Sequence, residues 1–246
     1  MLEKIALLSL LALGASAGAN ASAIINGTDM IKADHLGQLE TLIGQGDLDL
    51  TNIFTKDATD NLYDDSQDWH RDVDGQGATV TVMEFISNLD GSKTIVAGYN
   101  EFSWASAGSF TNSSNLNNFL VNLTTGDTFL KNTSSARQVM GWRAYGATFG
   151  NSYDLLVNGD LTTGGNNIGK AYGDTAQYGL TSYRESLTGL GGQSDWTIGY
   201  YETFTIDTAL ASLDGTGFAK VDDVSAPAMF SVLGLMALGL TRRRKK

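Results

Sequence analysis

The chain of 246 residues contains no cysteine, a single proline and only two histidines. Without cysteine it forms no disulfide and no thiolate metal site. Common catalytic zinc sites take three protein ligands, at least one of them a histidine, so His35 and His70 argue against such a site. Stability must therefore come from a hydrophobic core, and the chain is long enough to build one.

Positive charge is also scarce, because 16 Lys and Arg residues face 27 Asp and Glu residues, a net charge of −11. If both chain ends are removed as described below, Glu3, Lys4 and the five C-terminal cations are lost, and the net charge becomes −16. Such a surface repels nucleic acid and anionic lipid. The charge therefore argues against nucleic acid as a partner.

The N-terminus has the order of a secretory signal peptide. Lys4 precedes an apolar run over residues 5–13, and small residues follow as far as Ala23. A basic start, a short apolar stretch and a small-residue exit are the three parts of such a leader. The run is shorter than the roughly 20 residues that a membrane span needs. Cleavage is predicted after Ala17 or Ala23, and we favour Ala23, which makes residues 1–23 the leader.

The C-terminus combines a short motif, an apolar stretch and a basic end. Its parts are Val224, Ser225, Ala226 and Pro227, the apolar residues 228–240, and the basic end with Arg242, Arg243 and Arg244. The cations are expected to stay cytoplasmic while the preceding chain is exported. This ending resembles the PEP-CTERM sorting signal of Gram-negative bacteria, with Ser-Ala-Pro where Pro-Glu-Pro is usual. The resemblance implies the export machinery and an exosortase as partners, a transient membrane span, and delivery to the cell surface or extracellular matrix. A permanent anchor is the alternative.

Between these ends, segments rich in β-branched and aromatic residues alternate with Gly, Asn, Asp and Ser clusters. Strands are predicted over residues 79–86, 94–99, 119–123, 128–130, 153–157 and 196–206, with a hairpin turn at 88–91. A leucine stripe from Leu36 to Ile43, ended by Gly44, predicts one helix, and residues 60–72 predict another.

Alternation predicts that Val80, Val82 and Phe85 face inward, opposite a solvent-facing set with Thr79 and Thr81. In the last strand it groups four residues on one face: Trp196, Ile198, Tyr200 and Glu202. The fold class is α+β and mostly β, a two-sheet antiparallel sandwich with short flanking helices. The expected organisation is a lead over 24–35, a domain over 36–210 and a linker over 211–223.

The order of motifs along this domain resembles the TLDc domain of eukaryotic oxidation-resistance proteins and some exported bacterial proteins. The residues that carry the resemblance are Trp69, His70, Gly77, Thr79, Gly98, Tyr99, Trp104, Phe119, Phe149, Gly150, Asp154, Glu202 and Phe204. The resemblance implies a β-sandwich flanked by short helices. It implies no catalytic residues, because the family has no agreed catalytic set.

Three kinds of candidate site remain. A hydrolase is expected to use His70 with nearby carboxylates, or Glu84 with Glu202, although His70 is better interpreted as holding a turn. Oxygen ligands for Ca²⁺ are dense in one segment, with Asp57, Asp60, Asp64, Asp65, Asp68, Asp72 and Asp74, which is better interpreted as a solvated acidic helix face. A stacking surface for sugars or a partner protein would draw on Trp104, Trp142, Tyr145, Trp196, Tyr200 and Tyr201.

The sequence therefore predicts a noncatalytic surface or matrix protein that binds an extracellular protein or polysaccharide. No cofactor is expected, and Ca²⁺ is the one candidate ligand of this kind. The alternatives are a secreted hydrolase and a Ca²⁺-stabilised adhesin.

Overall fold

The computed structural model describes residues 22–57, 64–132, 136–150, 153–174, 187–188 and 196–208. Several sequence predictions lie outside the described residues: the leader up to residue 21, Asp60, the linker over 211–223, the motif Val224, Ser225, Ala226 and Pro227, and the basic end with Arg242, Arg243 and Arg244. Within the described part of the chain, no helix is long and apolar enough to cross a membrane.

The described residues form two helices, α1 (Ala33–Ile43) and α2 (Ser66–Val73), and eleven strands. The strands are β1 (Ala23–Ile25), β2 (Leu48–Asp57), β3 (Thr79–Ser87), β4 (Lys93–Asn100), β5 (Ser109–Asn112), β6 (Phe119–Asn122), β7 (Thr128–Leu130), β8 (Arg137–Gly141), β9 (Leu155–Val157), β10 (Gly164–Asn166) and β11 (Trp196–Thr208).

Seven of these strands form one large sheet in the order β1-β2-β11-β3-β4-β6-β7. Its pairs are antiparallel except for β1, which joins β2 in parallel. The predicted fold class, mostly β with short flanking helices, is confirmed, but the sheet is mixed rather than wholly antiparallel. The reason is β1, an edge strand formed by Ala23, the last residue of the predicted leader, and by the first two residues of the lead expected over 24–35.

A second, smaller layer covers one face of the large sheet. It consists of the antiparallel pairs β5–β8 and β9–β10, which Phe149 links by bridging to Val139 and to Leu155. The core between the layers contains Phe85 from the large sheet, Phe149 from the small layer and Trp69 from α2. We call this the first core.

The opposite face of the large sheet packs against α1 and forms the second core. Leu36 and Leu39 of α1 are buried there, together with Val82 of β3 and Phe204 of β11. The helix ends at Gly44, whose φ of 71° is the left-handed conformation that glycine adopts without strain. The predicted apolar stripe and its stop are both present.

Two predicted strand faces are wrong. Thr79 and Thr81 are fully buried, so β3 has no solvent face at that end, and Phe85 lies in the first core rather than beside Val82 in the second. In β11, the register shifts between Ile198 and Tyr200.

The register shift in β11 is a β-bulge, and it places Tyr200 and Glu202 on the face opposite Trp196 and Ile198. A bulge adds one residue to a strand and reverses the alternation that follows it, which simple period-two reasoning does not anticipate.

Candidate functional site

Helix α2 begins where two aspartates cap each other. The Asp65 carboxylate accepts hydrogen bonds from the backbone N–H groups of Gln67 at 2.7 Å and Asp68 at 3.2 Å. The Asp68 carboxylate in turn accepts from the Asp65 N–H at 3.2 Å. This reciprocal capping starts the helix at Ser66, later than the predicted residue 60. It fixes Ser66 and His70, two buried residues of the helix whose side chains contact the turn after β8.

His70 is 3% exposed and both of its ring nitrogens face acceptors. Nδ1 lies 2.7 Å from Oδ1 of Asp74, and Nε2 lies 3.2 Å from the carbonyl oxygen of Trp142. The other oxygen of Asp74 accepts the backbone N–H of Ser106 at 2.7 Å. An imidazole that serves two structural acceptors has no nitrogen left to act as a base towards a substrate. This geometry fits a residue that holds a turn.

The turn that His70 contacts comprises residues 142–145, and we call it the aromatic turn. It is closed by the Tyr145 N–H, which donates to the Trp142 carbonyl at 2.9 Å. The next carbonyl, that of Arg143, accepts from the Ser66 hydroxyl at 2.9 Å. The third, that of Ala144, packs so closely on Gly159 that a Cβ there would lie 2.8 Å from the oxygen.

Trp142 and Tyr145 project from this turn with their ring centroids 6.2 Å apart and their planes at 37°. Trp142 is 38% exposed, and Tyr145 is partly exposed. The other predicted stacking residues do not join them. Trp104, Trp196 and Tyr201 are buried in the first core, and Tyr200 packs against the second. Of the predicted aromatic surface, the structure therefore brings together one pair.

Glu202 is a fully buried carboxylate of β11 that is committed to the N-terminal segment. Oε1 accepts the Thr28 N–H at 2.9 Å and the Asn52 amide at 3.1 Å, while Oε2 accepts the Thr28 hydroxyl at 3.0 Å. A buried charge is stable only when its oxygens are hydrogen-bonded, and these donors meet that need. Glu202 therefore joins the segment before α1 to the large sheet.

Glu84 lies on the same sheet face as Glu202 but in a different environment. It pairs with Lys93 at 3.0 Å and lines a cavity of about 520 Å³ between the start of α1 and the β3–β4 hairpin. His35 and Asp29 line the same cavity. The predicted pair of catalytic carboxylates is thus divided, since Glu84 faces an open cavity and Glu202 is enclosed by its donors.

The acidic residues considered for Ca²⁺ are used along and around α2. Asp65 and Asp68 cap the helix, Asp68 and Asp72 pair with Arg71, and Asp74 binds His70. Two further members lie before the helix: Asp57, which ends β2, and Asp64. No group of three His, Asp or Glu side chains suited to a metal ion occurs among the residues that the structure describes. The Ca²⁺ interpretation stays a prediction.

Two of the residues that carry the TLDc resemblance are tryptophans with buried threonine partners. The Trp69 indole N–H donates to the Thr203 hydroxyl at 2.9 Å, and the Trp104 indole N–H donates to the Thr79 hydroxyl at 2.9 Å. The two indoles meet edge to face, with centroids 5.0 Å apart. On this face of the large sheet, Thr79 and Thr203 therefore accept hydrogen bonds from buried indoles and do not face solvent.

Two glycines of the same set allow close packing. A Cβ on Gly98 would lie 2.5 Å from the Phe149 ring, and a Cβ on Gly150, whose φ is 82°, would lie 1.9 Å from Asp154 Oδ2. The rest of the set serves the second core and the end of α2. Tyr99, Phe119 and Phe204 are buried in that core, and Gly77 follows α2 with a φ of 84°.

Asp154 is buried in the small layer and holds the chain around residue 171. Its carboxylate accepts the backbone N–H groups of Lys170 at 2.9 Å and Ala171 at 3.0 Å. Burial raises the pKa of Asp154 to about 6, and the backbone N–H groups oppose that rise. Its role is to order a loop, and its titration makes it a source of pH dependence.

Sequence reasoning missed Ser66, Thr28 and Arg143 as contributors. The first two are small polar residues whose partners are distant in sequence, which no local pattern indicates. Arg143 had a signal, because it lies in an aromatic-containing turn between Gly141 and Gly146. No protein-family model matches this chain, and no curated protein matches it significantly.

Proposed function

We propose that this chain is an exported, noncatalytic binding protein of the cell surface or extracellular matrix, built on a TLDc-like domain. The leader-like start and the PEP-CTERM-like end of the sequence support export and sorting. The acidic composition supports a partner other than nucleic acid. The order of the motif residues along the sequence, from Trp69 to Phe204, supports the domain assignment.

The observation that carries the binding role is the contrast between His70 and Trp142. The residue best suited to acid–base chemistry is buried and bonded to Asp74 and to a backbone carbonyl. The residue best suited to contact a partner is exposed on a turn whose backbone is fixed. A rigid exposed aromatic side chain offers contact area at a low cost in conformational entropy.

Fractionation of cells that express the chain, followed by intact-mass measurement, tests this proposal. We expect a surface or matrix form that lacks the leader, cut after Ala23 or Ala17, and the basic end. Replacing Arg242, Arg243 and Arg244 with Ser should reduce that form, whereas replacing Lys93, a cation within the domain, should not. An uncleaved chain in the cytosol would contradict the proposal.

A secreted hydrolase is the second candidate, and the cavity with Glu84 and His35 is what favours it. A carboxylate and an imidazole in one cavity can transfer protons to and from a substrate. If a hydrolytic activity is found, Glu84→Gln should abolish it and Glu101→Gln, a change at an acidic residue outside that cavity, should not. Loss of activity with an unchanged melting temperature would favour the hydrolase over the binding protein.

A further inference from the structure

We propose that the aromatic turn binds an acidic polysaccharide, with Trp142 stacking on a sugar ring and Arg143 pairing with the carboxylate of a uronate unit. The inference deepens the proposed function and rests on it, because such polymers are met outside the cell. It concerns residues 142–145, which form one exposed turn beside α2.

The turn is built without help from its own side chains. Three successive carbonyls are held by other parts of the fold: that of Trp142 faces His70, that of Arg143 accepts from Ser66, and that of Ala144 packs on Gly159. The following N–H, that of Gly146, donates to the Val157 carbonyl at 3.0 Å. The backbone of the turn is therefore held by contacts with α2, Gly159 and Val157, and the turn does not need its own side chains for this.

The exposed aromatic pair suits a sugar ring. Indole and phenol faces present a flat apolar surface to the C–H groups of a pyranose, and their rigidity limits the entropy lost on binding. Trp142 and Tyr145 lie 6.2 Å apart with planes inclined by 37°, so that their faces are not stacked against each other. Trp142 is also the exposed exception among the four tryptophans, since Trp69, Trp104 and Trp196 are buried.

Arg143 supplies the charge preference. Within the described residues its guanidinium has no hydrogen bond, ion pair or ring contact, whereas Arg71 is paired with Asp68 and Asp72. An unpaired guanidinium on a protein of net charge −11 is a local site for one carboxylate, which it can bind with two parallel hydrogen bonds. A uronate polymer supplies both groups that the turn can contact, a pyranose face for Trp142 and a carboxylate for Arg143.

Affinity electrophoresis of the purified full chain tests the inference in native gels that contain polygalacturonate or its methyl-esterified form. The buffer contains 0.15 M salt, so that long-range repulsion is screened beyond about 8 Å. We expect retardation by polygalacturonate and about tenfold weaker binding to the esterified polymer, which lacks free carboxylates. Trp142→Ala should weaken binding to both polymers at least about tenfold.

Arg143→Gln sharpens the test, because it should lower binding to polygalacturonate to the level of the esterified polymer and leave the latter unchanged. Leu89→Ala, at the 79%-exposed tip of the β3–β4 hairpin, is the matched surface control and should bind as wild type. Melting curves confirm that each variant is folded. If Trp142→Ala fails to fold, Arg143→Gln alone decides.

Retardation by polygalacturonate that is unchanged in both Trp142→Ala and Arg143→Gln would overturn the inference. A wild-type chain that neither polymer retards, or that binds only a protein, would overturn it as well. These failures differ from failure of the proposed function. A chain that is sorted to the surface but ignores uronate polymers refutes this site alone, whereas an uncleaved cytosolic chain refutes export whatever the gels show.

Discussion

The two faces of the large sheet bury their polar groups by different means. On the sheet face towards the first core the buried acceptors are hydroxyls: those of Thr79 and Thr203 accept hydrogen bonds from the indoles of Trp104 and Trp69. In the second core the group is a carboxylate, Glu202, which needs several donors at once.

The difference shows which face tolerates change. Losing one neutral hydrogen bond should cost about 1 kcal/mol, and the Thr203 hydroxyl has a second partner, the Thr81 hydroxyl at 3.2 Å. A buried carboxylate depends on all of its donors together, because a charge in the core that loses its partners is strongly destabilising. Since Thr28 supplies two of the donors to Glu202, the second core also requires the segment before α1 to be in place.

The largest effect should come from removing Glu202. We expect Glu202→Ala to lower the free energy of unfolding by about 3–5 kcal/mol, because it removes the acceptor of three partly buried donors: the Thr28 N–H, the Thr28 hydroxyl and the Asn52 amide. Denaturant titration measures this loss. Glu202→Gln should cost less, since its carbonyl can still accept from the Thr28 N–H and the Asn52 amide. A decrease in the free energy of unfolding of less than about 1 kcal/mol for Glu202→Ala would refute the claim that this carboxylate connects the segment before α1 to the large sheet.

Asp154 should produce the next largest effect, and it depends on pH. Its folded pKa of about 6 lies above the unfolded value of about 3.9, so its contribution to stability is full below pH 4 and is lost as pH rises through 6. The free energy of unfolding of wild type relative to Asp154→Asn should therefore fall by up to about 3 kcal/mol between pH 4 and pH 7. A difference that is independent of pH would contradict the raised pKa.

The neutral pairs of the first core should each contribute less. In a double-mutant cycle with Trp69→Phe and Thr203→Val, we expect a coupling energy of about 1 kcal/mol from the lost indole–hydroxyl bond. The cycle with Trp104→Phe and Thr79→Val should give a similar value. Coupling near zero in both cycles would mean that the hydroxyls are replaceable by methyl groups and that the two faces do not differ in this way.

The smallest expected effect concerns Ca²⁺. The carboxylates of Asp65, Asp68, Asp72 and Asp74 already serve as caps or ion-pair partners in and around α2. Millimolar Ca²⁺ should therefore shift the melting temperature by no more than about 1 °C, since a ligand stabilises only when it binds the folded state more tightly than the unfolded state. A shift of many degrees would instead support the Ca²⁺-stabilised adhesin.

Most of the large sheet could be predicted from the sequence, and the reasons are local. The β3–β4 hairpin combines two β-branched runs with a turn in which Gly91 has a φ of 72°. Strand β2 was missed because the register shifts opposite Thr203 and Phe204, which displaces Ile53 and breaks the alternation. Strand β9 starts two residues later than predicted, because Tyr153 has a positive φ of 68°.

The candidate site was harder to predict, because exposure is a tertiary property. Trp142 and Trp104 look alike as sequence, and only the fold places one in solvent and the other in the core. His70 was identified as the key histidine from its aspartate neighbours. Its second partner, the Trp142 carbonyl, is 72 residues away and no spacing rule indicates it.

Amide hydrogen exchange in His70→Phe tests the account of His70 most directly. The phenyl ring keeps the contact with Trp69 but removes both hydrogen bonds, to Asp74 and to the Trp142 carbonyl. The account predicts faster exchange at the Tyr145 and Gly146 amides while β3, β4 and β11 stay protected. Unchanged protection at those two amides would show that the aromatic turn is held without His70 and would contradict the account.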